Sequence, residues 1–426
     1  MWPVAMNVPI NVTAEIKPTM SLNIKHIRDQ FPILKQQVYG KPLVYLDSAA
    51  SAHKVVDVLL AERRLTIDYY GNIHRAAHYM ADKATADFEA VRTQVAEFLG
   101  AEGREEIIFT KGTTESINLV AFSFGEAFAQ PGDEIIVSEM EHHSNIVPWQ
   151  LMAERKQARV VMLPFADDGE LRMDLLPGLI TPKTKMIAVT HVSNVLGTIN
   201  PIKEISELAH AHGVKVLVDG AQAVQHMPVN VRELGADFYT FSSHKIYGPN
   251  GVGVLYGRRD LLEVMPPYQG GGEMIAEVSF TKTTFNELPY KFEAGTPHIT
   301  GVAGLGAALR FITEAGIGNI AEHEQELLRY ATEKLLTIEG MSIFGTSPRK
   351  SGVISFNIEG IHPYDAGMLL DKMGIAVRTG HHCADPVMEH YKIPGTIRIS
   401  FGIYNTREEI DQFFEALKKV IQILGK

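Results

Sequence analysis

The chain carries a single cysteine, Cys383, in the run RTGHHCAD that extends from Arg378 to Asp385. A free thiol is by default a small buried hydrophobe, but GHHCADP is polar and loop-like, a poor setting for core packing. Metal binding fares worse. Three consecutive residues seldom converge on one ion, and no C-x-x-C or H-E-x-x-H pattern supplies further ligands, so no metal is expected. Arg378, and a histidine when protonated, favour the thiolate, which is the nucleophilic form. The run reads as the loop of a nucleophile.

A second group lies upstream. Lys245 closes an apolar run in SSHKIYGPNG, and a lysine at a buried strand end beside a Gly-rich turn is a candidate for covalent capture of a carbonyl; an ordinary surface lysine is the commoner alternative. Asp219 ends the earlier apolar run VKVLVDG. On a neighbouring strand its carboxylate would emerge at the same sheet edge, where it can pair with the ring nitrogen of pyridoxal phosphate; it would serve equally as a helix N-cap. In TKGTTESINLVAF a small-residue turn enters a helix, and its backbone N–H groups with Thr113 and Thr114 suit a phosphate or a plain cap. His142 or His143, in EMEHHSNIVPW, can stack on an aromatic ring, and Asn194, in HVSNVLGT, can bond a ring hydroxyl or shape a turn. Each alone is weak; together, all beyond strand ends of one sheet, they are specific.

These residues need elements that hold them. EEIIFT, DEIIVS, ARVVMLPF, TKMIAVTHVS, VKVLVDGAQ, DFYTFSSHK and GVGVLYG read as buried strands. Helical stretches such as PIKEISELAHAHG, closing on Gly213, separate several of them. Buried strands alternating with helices predict an α/β domain with a largely parallel sheet and ligands beyond its carboxyl ends. Past residue 305 the texture changes to a smaller α+β pattern, with Cys383 between two of its strands. The expected organisation is a flexible extension over 1–20, a large domain over 37–305, and a small domain over 306–426 with 21–36 packed on it; Ser21 is a candidate cap for the first helix.

Length, 426 residues, fits two domains. A net charge of −10 without a long basic run argues against nucleic acid. One cysteine points to a reducing compartment, hence the cytoplasm. No run of about 18 apolar residues suggests a membrane span, and residues 1–20 lack the pattern of a signal peptide.

With YLDSAAS, NIHRAAH, TKGTTESIN, EHHSNIVPW, THVSNVLGTINP, DGAQAVQH, SSHKIYGPNG, FEAGTP and RTGHHCA in this order, the chain resembles group II cysteine desulfurases of the SUF (sulfur-mobilisation) type. These are fold-type I pyridoxal-phosphate enzymes of the class V aminotransferase group, with a mainly parallel seven-stranded sheet and a smaller α+β domain. The resemblance implies that Lys245 bonds the cofactor, Asp219 holds its ring nitrogen and His142 stacks on its face. Gln222 and Asn194 would lie by the ring oxygen, and Thr113, Thr114, Ser242 and His244 by the phosphate. Thr296 would reach the partner subunit's phosphate in a homodimer. Arg398 would pair with the substrate α-carboxylate, Arg378 and His74 would line the substrate pocket, and Cys383 would accept sulfur from L-cysteine and pass it to a small SUF-type carrier protein.

Three departures fall outside the catalytic groups: Ala-His-Lys at 52–54, Ser243 and His298. On the same scaffold, a selenocysteine lyase, a class V aminotransferase with no use for Cys383, and an inactive assembly scaffold are the competing readings.

Overall fold

Runs of Val, Ile and Phe long enough for one strand, and apolar at nearly every position, can be satisfied only where both faces of a sheet are covered. In the computed structural model, which describes residues 22–75 and 77–425, seven such runs form one sheet: β1 (Ile107–Thr110), β2 (Glu134–Ser138), β3 (Arg159–Leu163), β4 (Thr184–Thr190), β5 (Lys215–Asp219), β6 (Phe238–Ser242) and β7 (Gly253–Gly257). Their order is β1-β7-β6-β5-β4-β2-β3. The run from β6 to β3 is parallel, and β7 is antiparallel to both of its neighbours. This is the mostly parallel seven-stranded α/β sheet expected from the pattern of runs.

The parallel strands deliver their carboxyl ends to one edge, so the loops after Ser138, Thr190, Asp219 and Ser242 open there side by side. Gly253, at the start of β7, pairs with both Ser242 and Thr110 at that edge. A Cβ on Gly253 would stand 2.4 Å from the Cα of Gly112. Only glycine therefore lets the start of the helix Thr113–Phe128 lie against the sheet.

A second sheet of four antiparallel strands, β8 (Met341–Phe344), β9 (Val353–Ile358), β10 (Arg378–Gly380) and β11 (Thr396–Ser400), has the order β8-β9-β11-β10. It has its own core, in which Phe356, Ile397 and Ile399 meet Phe413 and Leu417 of the helix Arg407–Leu424. That helix starts with a reciprocal cap between Thr406 and Glu409, which satisfies two donors at its exposed N-terminus.

Several segments stitch the two sheets together. Val44–Tyr45 pairs in parallel with Ile375–Ala376, and Asp47 bridges to Ser400. The Phe31 ring packs edge-on against Tyr247, Phe311 and Tyr404, while Arg28 pairs with Glu409 at 2.8 Å. Residues 22–36 thus touch both units. The helix Ile299–Ala315 runs through the expected division at 305/306.

The extension 1–20 and Ser21 lie outside the described residues; the first helix, Ile24–Asp29, is capped by Asn23. No helix among the described residues is long and apolar enough to cross a membrane.

Candidate active site

The sheet edge and the second sheet enclose a cavity of about 210 Å³. Its lining includes Thr113, Thr114, His142, Asn194, Asp219, Gln222, Ser242, His244, Lys245, Arg378 and Arg398. Eleven positions chosen from widely separated motifs thus share one wall.

Lys245 ends the short turn Ser243–Lys245 that follows β6. Burial lowers its pKa to about 8, a shift that the two arginines reinforce and that Asp219 and the Cys383 thiol oppose. A buried amine so lowered yields far more free base near neutrality than an ordinary lysine, as a carbonyl-capturing lysine and a proton acceptor require. Asp219 ends the adjacent strand β5 and is 4% exposed. Burial raises its pKa, the Lys245 charge opposes the rise, and its Oδ1 accepts the Ala221 N–H at 2.9 Å. A buried carboxylate with so little compensation suits a cationic ring nitrogen. His142 caps the turn His143–Asn145, its Nδ1 accepting the Ser144 N–H at 3.1 Å. Burial first, then the Lys245 charge, lowers its pKa to about 3, so the ring is a neutral face.

The other end of the cavity is built for an anion. The helix Thr113–Phe128 starts there on Gly112, and the Ser242 hydroxyl lies 2.9 Å from both the Thr113 N and its Oγ1. The unbonded N–H groups of a helix start favour phosphate oxygens. His244 sits beside them with Nδ1 3.2 Å from Ser51 Oγ; burial lowers its pKa to about 4. Gln222 is fixed by a 2.6 Å bond from Nε2 to the Ala49 carbonyl.

These donors fit pyridoxal phosphate: an amine for its aldehyde, a buried carboxylate for its ring nitrogen, a neutral ring for its face and a helix start for its phosphate.

Cys383 stands between β10 and the helix Asp385–Tyr391, half-buried. Its loop is bound to the cavity walls. His143 donates its backbone N–H to the Cys383 carbonyl, and Asn194 donates Nδ2 to the His382 carbonyl, both at 2.8 Å. Arg398, on β11 and 2% exposed, donates to the Asn194 carbonyl and to Asp47, while its Nε has no partner among the described residues. An unpaired guanidinium nitrogen in a cavity wall is open to an anionic ligand.

Three of the expected residues are not in the cavity lining: Cys383 stands on the adjoining loop beside His382, which is, and Thr296 and His74 lie elsewhere. Thr296 is exposed on a separate cavity with Thr110, Lys111, Tyr268 and Gln269. His74 pairs with Glu89 at 3.0 Å, its ring against Tyr290.

Three residues near the site carried no role in the sequence reading: Asp47, His382 and Glu141. Glu141 is fully buried, accepting from Thr190 N and Asn145 Nδ2 at 2.7 Å each. Burial pushes its pKa up to about 8. Adjacency was the available signal for Glu141 and His382, which stand beside His142 and Cys383; Asp47 lies in the quoted motif YLDSAAS, where no residue carried a role.

The family described as aminotransferase class-V matches residues 44–413. A Klebsiella pneumoniae (strain 342) protein named cysteine desulfurase is 52% identical over 407 residues, covering 95% of this chain and 100% of that one. One from Yersinia pseudotuberculosis serotype I, of the same name, is 51% identical over the same shares. Among solved structures, the cysteine desulfurase CsdA of Escherichia coli has a TM-score of 0.88 at 41% identity, covering 95% of this chain and 99% of that one. The cysteine desulfurase of Thermococcus onnurineus NA1 has a TM-score of 0.90 at 38% identity, covering 96% of this chain and 100% of that one.

Proposed function

The chain belongs to the class V aminotransferase family, and on that premise we propose that Cys383 takes the sulfur of L-cysteine while Lys245 handles the proton at the substrate α-carbon. The protein is a pyridoxal-phosphate-dependent cysteine desulfurase, releasing L-alanine. When bound, the cofactor supplies an electron sink for negative charge at the α-carbon.

The chain's own residues do the rest. Arg398 holds the substrate carboxylate with a planar fork of donors, helped by Arg378. Lys245, as free base, removes the α-proton. The Cys383 thiolate attacks the substrate sulfur: an S–S bond forms, the C–S bond breaks, and its electron pair stays with the β-carbon. That carbon is then protonated to the methyl group of alanine, and the persulfide remains on Cys383. The observation that carries this reading is a depressed-pKa lysine on the cavity wall with the chain's only thiol on the adjoining loop, next to the wall residue His382 and near enough to act electrostatically on Lys245.

Sulfur then passes to a small carrier protein of the SUF type for iron–sulfur cluster assembly. A homodimer, in which Thr296 serves the partner subunit's phosphate, and a cytoplasmic location complete the proposal. L-Selenocysteine presents the same carboxylate and amine, so selenocysteine lyase activity belongs to the same site. The test is the conversion of L-cysteine to alanine and sulfane sulfur. Cys383→Ser should abolish the sulfur transfer while the yellow colour of the cofactor-loaded protein remains. A wild-type protein that takes up pyridoxal phosphate and yields no alanine would overturn the reading.

A further inference from the structure

His382 and Cys383 both have φ of +57°, the left-handed region that side-chain-bearing residues enter only when their surroundings impose it. The nucleophile's backbone is therefore imposed on it by its contacts. The Cys383 carbonyl takes the His143 N–H, and the His382 carbonyl takes Asn194 Nδ2, each at 2.8 Å. The His382 ring is fixed separately, with Nε2 2.8 Å from Thr396 Oγ1. Of the partners that tie the pair from outside it, His143, Asn194 and Thr396, only Asn194 also lines the cavity. The backbone of Asn194 is in turn held by Arg398 Nη1 at 2.9 Å.

We propose that Asn194 is a positioning residue for Cys383: its amide holds the strained His382–Cys383 pair against the cavity wall, so that one side chain links the ligand pocket to the nucleophile's loop. The inference rests on the desulfurase reading and adds to it a mechanical connection between Arg398, Asn194 and the thiol. With the amide gone, the pair has nothing at its His382 carbonyl to oppose the left-handed strain, and the loop relaxes outward.

Cys383 is the only cysteine, so thiol alkylation reads this loop and nothing else. The experiment measures the rate of iodoacetamide alkylation across pH, on cofactor-free and cofactor-loaded protein, for wild type, Asn194→Ala, Asn194→Asp and Thr396→Val. Circular dichroism confirms that each variant is folded. In the cofactor-free protein, both Asn194 variants should be alkylated several-fold faster at the high-pH plateau with the titration midpoint unchanged, whereas Thr396→Val should change little.

Equal plateau rates in wild type and both Asn194 variants would overturn the proposal. So would acceleration by Thr396→Val alone, which would assign the restraint to the His382 ring. Neither result bears on desulfuration, because alkylation needs no turnover; absence of alanine production by wild type would strike the function and leave this measurement standing.

Discussion

Arg398 Nη2 donates to Asp47 Oδ1 at 2.9 Å. The guanidinium proposed for the substrate carboxylate thus already holds a carboxylate, which with the Asn194 carbonyl fixes the plane of the fork. A pre-set planar donor loses less freedom when a ligand docks than a mobile one does.

Replacing Arg398 by Lys keeps the charge and removes the fork. KM for L-cysteine should rise by roughly tenfold to a hundredfold, the equivalent of a charged hydrogen bond lost, with a smaller change in kcat. Asp47→Asn should raise KM in the same direction by less. Steady-state kinetics decide; an unchanged KM in Arg398→Lys would place the carboxylate elsewhere.

Lys245 has a folded pKa of about 8 against 10.5 for an ordinary lysine. Between these values the unfolded chain binds the extra proton and the native protein does not, so stability rises with pH through that window. Below pH 8 both states are protonated and the penalty of burying the charge is fully present. Cofactor-free wild type should gain up to roughly 3 kcal/mol relative to Lys245→Met between pH 8 and 10.5. Urea unfolding at several pH values checks it, and parallel curves for the two proteins would refute it.

His142, with its pKa lowered to about 3 by burial, stays neutral over the working range. Its imidazole C2 proton should show no NMR titration from pH 5 to 8 in the cofactor-free protein. A midpoint inside that range would mean a charged ring and a different role.

Glu141 shows the opposite sign to Lys245. A carboxyl raised from 4.5 to about 8 binds its proton longer in the native state, so stability falls as pH climbs between those values. Glu141→Gln should lack this decline and overtake wild type in melting temperature by pH 8. Glu141→Ala, which strips the partner from Thr190 N and Asn145 Nδ2, should lose about 3 kcal/mol. A wild-type melting temperature that tracks the Gln variant across this range would show that the carboxyl is ionised throughout.

The strands were legible because burial on both faces leaves an unbroken apolar run, as in VKVLVDG, and a Gly, Asp or Ser at the end announces the loop. Lys245, Asp219 and His142 were legible for the same reason: each stands at the end of such a run or within four residues of it. Less was visible where a role depends on the meeting of distant segments. Nothing in HVSNVLGT says that Asn194 will hold a carbonyl of residue 382, and nothing in YLDSAAS says that Asp47 will orient Arg398. Both follow from the stitching of Val44–Tyr45 to Ile375–Ala376 and from the packing of the two sheets, which no local pattern encodes. Thr296 and His74 were named by resemblance alone, and in the single chain neither lines the cavity that Lys245, Asp219 and His142 share.

Asp219 pairs with Thr240 across adjacent parallel strands, and Lys245 stands one short turn beyond. The spacing between the group that would grip the ring nitrogen and the amine that would grip the aldehyde is therefore set by the pitch of a β-sheet, a length no single substitution can retune. New reactivity evolved on this frame has to come from the facing jaw, the four-stranded sheet with its thiol and its arginines, while the seven-stranded sheet keeps the gauge.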